Sequence, residues 1–345
     1  MSKSHRVALM GGDGVGPEVV DGARQVLEAL QEALPELKFE FTSYSVGYSA
    51  YKEKGEPLPE EALEGIRNSD AVLMGAMSTG LVPPPSPMGT LRKTFDLYAD
   101  VRPIKSFPGV WCLKDDMDLV VVRENTSGFL ADRNLYKGYG EFMPDEDTVL
   151  SLRVLTRYKC ERIARFAFQY AKEQGRKKIT VAHKANVLRY GCGFFLEICR
   201  EVSKEFPEIE MNDCYIDTVA NDLIAHPDDY DIILTTNMFG DIVSDEAAAL
   251  VSSLVPTANF GKECAMFRPI HEAKLEIAGQ DKVNPLSTIL SAGMMLNWLK
   301  EFEAARRLEE AVAKVLGSGR YLPIDLGGST STSKMVQAIC EQIKG

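Results

Sequence analysis

The feature that most constrains the fold is a regular alternation of short apolar runs with longer segments of helical periodicity. Short apolar runs occur at 6–10, 71–74, 119–122, 179–182 and 232–234. Apolar residues recur at helical spacing in 18–34, 160–173, 194–206, 241–254, 286–302 and 304–316. Short apolar runs predict buried strands, and recurrence every three or four residues predicts helices. Their alternation is typical of an α/β fold with a largely parallel sheet.

Length and composition narrow the class of protein. The 345 residues are enough for one large or two moderate domains. We find no apolar run near the ~18 residues of a membrane span, and the first apolar run is too short for a signal peptide. The seven cysteines form no CxxC pair, so they predict reduced thiols and a cytoplasmic location. A net charge of -11 argues against nucleic-acid binding but permits a local arginine cluster for a small anion.

A glycine-rich turn follows the first predicted strand. Gly12, Gly14 and Gly16 precede a predicted helix that starts near Pro17, a position that suits a phosphate cradle. Their spacing differs from the GxGxxG pattern of Rossmann proteins. The turn is therefore either a cradle or a tight turn that needs a permissive backbone, and a bound nicotinamide cofactor would indicate a non-Rossmann fold.

Three aspartates are suited to a divalent cation. Asp241 and Asp245 are four residues apart, so they share a face if this segment is helical. Asp217 comes just after a predicted strand at 213–216. Carboxylate oxygens are the ligands that magnesium and manganese prefer. The alternative is that aspartates cap the start of a helix and complement its dipole.

Three arginines, Arg92, Arg102 and Arg123, fall at the edges of apolar segments. Arginine at the end of a strand is well placed to bind a carboxylate with two hydrogen bonds. The alternative for each is a surface ion pair. Lys184 follows the run 179–182, where open α/β sheets bind ligands, and a lysine there can act as a base. We interpret the neighbouring His183 as a partly buried imidazole without a catalytic role.

Taken together, these motifs resemble those of the β-decarboxylating dehydrogenases, the family of isocitrate, homoisocitrate and 3-isopropylmalate dehydrogenases. The similar stretches span nearly the whole chain, at 12–19, 91–103, 123–126, 183–187, 236–245, 284–285 and 325–328. The resemblance implies a non-Rossmann, isopropylmalate dehydrogenase-like α/β fold. Residues 1–101 and 253–345 would form a large cofactor-binding domain. Residues 102–252 would form a smaller middle α/β domain with the metal and catalytic residues and the interface of a homodimer or higher homo-oligomer.

The resemblance also implies roles for individual residues. Substrate contacts would come from Arg92, Arg102, Arg123, Ser86 and Asn186. The Mg2+ or Mn2+ ligands, in a site shared between subunits, would be Asp217, Asp241 and Asp245. Lys184 would be the base, with Asp217 beside it. The NAD contacts would be Gly14, His271, Glu276, Ile277 and Asn284. The implied reaction is oxidation and decarboxylation of a 3-substituted malate, a 2-hydroxy di- or tricarboxylate. The metal would polarise the ketone formed on hydride loss.

One departure from the family concerns the last proton transfer. The family pattern Glu-Asn-Thr-Glu-Gly-x-Tyr ends in the tyrosine that returns a proton to carbon, whereas this chain has Leu130 there. Leucine cannot donate a proton, so Tyr136, Tyr139 or water are the candidate acids. The change leaves open two alternatives: oxidation with little decarboxylation, or a non-catalytic regulatory subunit on the same fold.

Other departures concern the cofactor and the substrate's variable arm. Glu276 stands where NAD-dependent members carry an acid that holds the ribose hydroxyls, and such an acid repels the 2′-phosphate of NADP. Met88 and Gly89 suit an apolar arm, as in isopropylmalate, while the stretch 123–126 is closer to the isocitrate and homoisocitrate branches. Asp100 replaces a usual asparagine and adds negative charge near the site. The arm is therefore left open among isocitrate, homoisocitrate and 3-isopropylmalate types.

Overall fold

A computed structural model describes residues 3–78, 80–129, 135, 137–138 and 140–345. The chain forms two compact units. The first is built from residues 1–91, 106–115 and 251–345, and the second from residues 92–105 and 116–250. The domain boundaries expected at residues 101 and 252 stay a prediction.

The strands are β1 (Lys3–Met10), β2 (Leu37–Tyr44), β3 (Ala71–Met74), β4 (Ala99–Lys105), β5 (Asp118–Glu124), β6 (Glu141–Asp145), β7 (Thr148–Ser151), β8 (Lys178–His183), β9 (Glu210–Tyr215), β10 (Ile232–Thr235), β11 (Pro256–Phe260) and β12 (Ala265–Pro269). The helices are α1 (Gly16–Ala33), α2 (Tyr48–Lys54), α3 (Glu60–Arg67), α4 (Pro87–Thr94), α5 (Arg157–Glu173), α6 (Gly191–Ser203), α7 (Ile216–Ala225), α8 (Asn237–Leu250), α9 (Leu286–Trp298), α10 (Phe302–Gly317) and α11 (Thr332–Lys344). Among the helices described, none is both long and apolar enough to cross a membrane.

In the first unit, five strands run in the order β2-β1-β3-β12-β11. Their neighbours pair in parallel except β12 with β11, which pair antiparallel. The apolar residues of α1 recur every three or four positions and are buried, and this face packs against α9 and α11. Pro17 lies in the first turn of α1, where its missing N–H costs no hydrogen bond. The helix therefore begins directly after the glycine turn.

In the second unit, five strands run in the order β4-β5-β10-β8-β9. β4 and β5 pair antiparallel, and the other neighbours pair in parallel. Thr235 at the end of β10 is level with Arg123 on β5 and with Ala182 on β8. Since parallel strands end at the same edge, the segments after β5, β8 and β10 emerge together at a place where α/β proteins bind ligands. Helix α8, which packs on β4 and β5, starts at this edge.

Candidate active site

The three arginines meet around one buried carboxylate in the second unit. Asp100 on β4 is fully buried and lies opposite Arg123 of β5. Its Oδ1 is 3.3 Å from Nε of Arg102. Its Oδ2 is 3.6 Å from Nη2 of Arg92, in the last turn of α4, and 3.7 Å from Nη1 of Arg123. Arg102 and Arg123 are themselves buried, so these two are not surface ion pairs.

Asp241 and Asp245 reach the same cluster from α8. Arg102 donates from Nη1 to Asp245 Oδ1 at 2.8 Å and from Nη2 to Asp241 Oδ1 at 3.1 Å. Arg123 also donates to Asp241. The two aspartate side chains are 52% and 66% exposed, so they face both the arginines and solvent. Because α8 begins at Asn237 and has no acid in its first turn, helix capping does not explain these aspartates.

Asn237 holds Arg123 in place and Gly240 leaves room for it, and neither residue was singled out from the sequence. Asn237 Oδ1 accepts from Nε and Nη2 of Arg123 at 3.2 and 2.6 Å, while its Nδ2 donates to the carbonyl of Ser127 at 3.2 Å. A Cβ on Gly240 would lie 2.7 Å from the Arg123 side chain. The start of α8 can therefore approach the arginine only because residue 240 has no side chain.

The carboxylates, rather than water, stabilise these buried cations. Burial lowers the pKa of Arg123, and Asp100 and Asp241 offset this only in part. For Arg102, burial also lowers the pKa, but the surrounding carboxylates of Asp100, Asp241 and Asp245 outweigh it and the pKa is raised. Guanidinium groups stay charged in proteins, and buried charges need close partners. The cluster is thus a set of fixed positive charges beside two partly exposed carboxylates.

Lys184 and Asp217 form a separate pair. Lys184 directly follows β8, Asp217 lies in the first turn of α7, and the ammonium donates to the carboxylate. This hydrogen bond lowers the pKa of Asp217. Asn186, two residues further on, is exposed.

Over the described part of one chain, no three His, Cys, Asp or Glu side chains are grouped to hold a metal. One chain alone thus does not assemble the three predicted metal ligands.

His183 has both ring nitrogens bonded. It is 3% exposed, and its Nδ1 accepts from the backbone N–H of Ala185 at 3.0 Å. Nε2 therefore carries the proton and donates to Asp213 at 3.1 Å. Its ring also meets Tyr215 edge to face, 5.4 Å between centroids. The imidazole supports the turn that carries Lys184, which agrees with its interpretation as a structural residue.

The glycine turn packs on residues 271–279, the predicted cofactor loop, within the first unit. Gly14 has φ of +57°, and a Cβ there would lie 2.0 Å from the carbonyl oxygen of Ala273. That oxygen accepts from the N–H of Val15 at 2.8 Å. Ile277 packs on Val15 and its neighbours in the core. The geometry favours a tight turn in which the backbone at Gly14 lies directly against the backbone at Ala273. It also brings Gly14 close to Ile277, because Ile277 packs on Val15.

Gly14→Ala is expected to destabilise the protein by about 3 kcal/mol or more, because an unrelieved backbone overlap adds to an unfavourable φ. Gly55 provides a matched control, since it has φ of +76° with nothing within 4 Å of an added Cβ. Gly55→Ala should cost only about 1–2 kcal/mol for the left-handed conformation. Urea unfolding of both variants measures the difference. Equal losses would show that contact with Ala273 does not matter.

The predicted cofactor loop contains a buried polar atom with no hydrogen-bond partner in the part of the chain that the structure describes. Nδ1 of His271 lies 2.9 Å from the carbonyl oxygen of Glu272, so in the neutral ring Nδ1 carries the proton and Nε2 is an acceptor. Nε2 is buried and has no hydrogen-bond partner among the described residues. Burial lowers the pKa of His271, which keeps the ring neutral. Glu276 is exposed, whereas Asn284 already bonds Asp325 at 3.2 Å.

The remaining predicted residues have other surroundings. The Ser86 hydroxyl accepts from the N–H of Gly89 at 3.0 Å, which places it as a cap at the start of α4. Leu130, and with it the two candidate acids Tyr136 and Tyr139, lies outside the residues that the structure describes. Their predicted roles stay predictions.

Comparison with known proteins shows the same fold and similar sequences. An isocitrate dehydrogenase structure from Methylococcus capsulatus superposes with a TM-score of 0.89 at 37% identity, covering 99% of this chain and all of that chain. A 3-isopropylmalate dehydrogenase from Archaeoglobus fulgidus is 44% identical over 97% of this chain and 98% of its own length. An isocitrate/homoisocitrate dehydrogenase from Thermus thermophilus is 40% identical over 99% of both.

These likenesses define the class as an α/β oxidoreductase with the isocitrate dehydrogenase type of fold. The family profile described as isocitrate/isopropylmalate dehydrogenase matches residues 6–339, so the chain belongs to that family. The fold class and the family predicted from the sequence are thereby confirmed. Relatives of both substrate types match at similar identity, so their names do not choose the substrate's arm.

Proposed function

We propose that the protein oxidises a 3-substituted malate with NAD and a divalent cation and then decarboxylates the product. The observation that carries this proposal is the grouping of Arg92, Arg102 and Arg123 beside Asp241 and Asp245. Forked guanidinium groups suit the two carboxylates of a malate unit. The two aspartates neutralise part of the arginines' positive charge and also face solvent. An anionic substrate and a cation would therefore enter the site from the side of Asp241 and Asp245.

Asp241 and Asp245 fit Mg2+ or Mn2+ in their chemistry. Both present carboxylate oxygens on one face of α8, are more than half exposed and lie beside the arginines. Hard oxygen donors with room for water or substrate are what these cations need. When bound, the cation would act as a Lewis acid on the oxygen at C2. Arg102 and Arg123 would then hold the substrate's carboxylates instead of the two aspartates.

The cofactor loop fits a nicotinamide dinucleotide, which would supply the hydride acceptor. The unused acceptor Nε2 of His271 would receive a hydrogen bond from an amino group such as that of adenine. The exposed carboxylate of Glu276 would favour ribose hydroxyls and repel a 2′-phosphate, which supports NAD over NADP. Gly14 would let the first turn lie close to the same loop.

Lys184, in its neutral amine form, would take the proton from the substrate's hydroxyl group and become an ammonium, with Asp217 orienting the nitrogen by accepting a hydrogen bond from it. Among the described residues of one chain, Asp217 forms no metal-ligand group with Asp241 and Asp245. This supports a homodimer in which Lys184 and Asp217 of the partner subunit complete each site. Large exposed apolar side chains are typical of such interfaces. The second unit has several on α7, α8 and the β6–β7 hairpin: Ile224, Met238, Ile242, Phe142, Met143, Val149 and Leu150.

A second candidate is oxidation with little decarboxylation. Leu130 favours it, because the family resemblance places the proton-donating tyrosine at this position and leucine has no proton to give. Leu130→Tyr is the test of that alternative. It should raise the yield of CO2 per NADH if the missing acid limits the reaction, and an unchanged yield would count against it.

The substrate is identified by measuring NADH formation with Mn2+ on isocitrate, homoisocitrate, 3-isopropylmalate, malate and tartrate. We expect one 3-substituted malate to give a kcat/KM at least about tenfold above the others. A single substituent that does not fit its pocket lowers kcat/KM by about tenfold or more. The same substrate should react faster with NAD than with NADP. No turnover with any substrate, together with retained NAD binding, would favour the regulatory-subunit alternative over an enzyme.

A further inference from the structure

Asp100 is a fixed negative charge at the centre of the arginine cluster. Its carboxylate is fully buried and lies within 3.3–3.7 Å of nitrogens of Arg92, Arg102 and Arg123. Asp241 and Asp245 differ from it, because they are more than half exposed and can move toward solvent or a cation. The Asp100 carboxylate is buried on β4 and cannot move toward solvent. It therefore stays beside the three arginines with or without a bound ligand.

The charges of the site then give a simple sum. Three guanidinium groups carry three positive charges, and Asp100 removes one of them. A divalent cation on Asp241 and Asp245 would balance those two carboxylates, and the ion pair of Lys184 with Asp217 adds no net charge. The substrate therefore faces a net charge of two positive units. A malate whose substituent is uncharged carries two negative charges, whereas a tricarboxylate carries three.

We infer that Asp100 is a specificity-determining residue that favours dicarboxylic 2-hydroxy acids with an uncharged substituent over tricarboxylic ones. This inference rests on the proposed function, since it takes the arginine cluster as the substrate site. The physical reason is that like charges brought together in a buried site repel without the screening that water gives. Asp100 cannot escape this repulsion by turning away, because three arginines surround it.

The test is Asp100→Asn, which removes the charge and keeps the shape of the side chain. Its amide oxygen can still accept from Nε of Arg102. The ratio of kcat/KM for isocitrate to that for 3-isopropylmalate should rise by about tenfold or more, because removing one unit charge within a buried cluster changes a trianion's energy more than a dianion's. Asp100→Ser removes the same charge with a smaller side chain and serves as a second variant.

The control is Asp96→Asn. Asp96 lies in the same unit, is 57% exposed and bonds Arg162 rather than the cluster. This change removes an equal charge at a distance and should leave the ratio within about twofold of wild type, since exposed charges are screened. An unchanged ratio in the folded Asp100 variants would overturn the inference, and so would an equal rise in the control.

A binding measurement separates failure of this inference from failure of the proposed function. Calorimetric titration with Mg2+ present compares tricarballylate, which has three carboxylates, with methylsuccinate, which has two. Neither has a hydroxyl group to oxidise. If no hydroxy acid is turned over but Asp100→Asn shifts the binding ratio toward tricarballylate, the proposed function fails and the inference stands. If turnover occurs and neither ratio shifts, only the inference fails.

Discussion

Lys184→Ala should lower kcat for NADH formation by about 10²–10⁴-fold, the range that a positioned acid–base group contributes. KM should change little, because the arginines and not Lys184 would bind the carboxylates. The fold should survive, since the pair of Lys184 with Asp217 is partly exposed and such pairs contribute little to stability. Steady-state kinetics and thermal unfolding of the same preparation measure both effects. Wild-type turnover would show that Lys184 is not the base.

Lys178→Ala is the matched control. Lys178 is the first residue of β8, whereas Lys184 directly follows its last residue. The two lysines therefore lie at opposite ends of the same strand. Lys178 donates to the carbonyl of Asp229 at 3.0 Å, away from the predicted site. Its removal should leave kcat unchanged. A similar loss in both variants would indicate a general effect on the unit rather than loss of a base.

Mixing two impaired variants, assayed at an Mn2+ concentration that saturates wild type but leaves Asp241→Asn nearly inactive, tests whether the site is shared between subunits. Lys184→Ala and Asp241→Asn, unfolded and refolded together in equal amounts, should regain about a quarter of wild-type activity in a random two-fold dimer. Half of the dimers are then hybrids, and one of their two sites has both Lys184 and Asp241. No recovery, with hybrid dimers demonstrated by mass, would place both residues in a site within one chain.

The second large effect is expected for Asp241→Asn. An amide is a weaker ligand than a carboxylate for Mg2+ or Mn2+, so the concentration of Mn2+ needed for half-maximal rate should rise by about 100-fold or more. Stability should fall little, because Asp241 is half exposed and Arg123 keeps Asn237 and Asp100 as partners. Calorimetric titration with Mn2+, with and without the hydroxy acid, measures the loss directly.

Glu246→Gln is the control for Asp241→Asn. Glu246 lies on the same helix five residues further on, which turns its side chain about 140° away from Asp241. The change removes the same charge from α8 without touching the arginines. Mn2+ affinity should be as in wild type. If both variants lose it equally, the net charge of the helix and not ligation by Asp241 explains the effect.

The sequence predicted several strands from short apolar runs, but it missed the buried strands β11 and β12. The run 71–74 is β3 itself, and 119–122 and 179–182 are the cores of β5 and β8. The structure accordingly places Lys184 at the end of a parallel strand. β4 was missed because Asp100 and Arg102 interrupt its apolar pattern. Their burial depends on pairing with each other and with residues far along the chain, and periodicity does not show such pairing.

The start of α8 shows why the site could be predicted only in part. Its periodic segment was placed at 241–254, whereas the helix spans Asn237–Leu250. The first turn contains Gly240 and the side chain that holds Arg123, and neither adds to an apolar pattern. Spacing alone put Asp241 at a helix start, where capping was a valid alternative. Only the structure shows that the helix begins four residues earlier and that the aspartates face the arginines.

The most direct measurement of the proposed reaction is the joint yield of NADH and CO2 from wild-type protein with Mn2+, NAD and the best hydroxy acid. We expect both products in equal amounts, with EDTA abolishing both and Mn2+ restoring them. NADH without CO2 would indicate a dehydrogenase of 2-hydroxy acids that does not decarboxylate its product. Neither product from any of the substituted malates, in protein shown to be folded and to bind NAD and Mn2+, would contradict the proposed function.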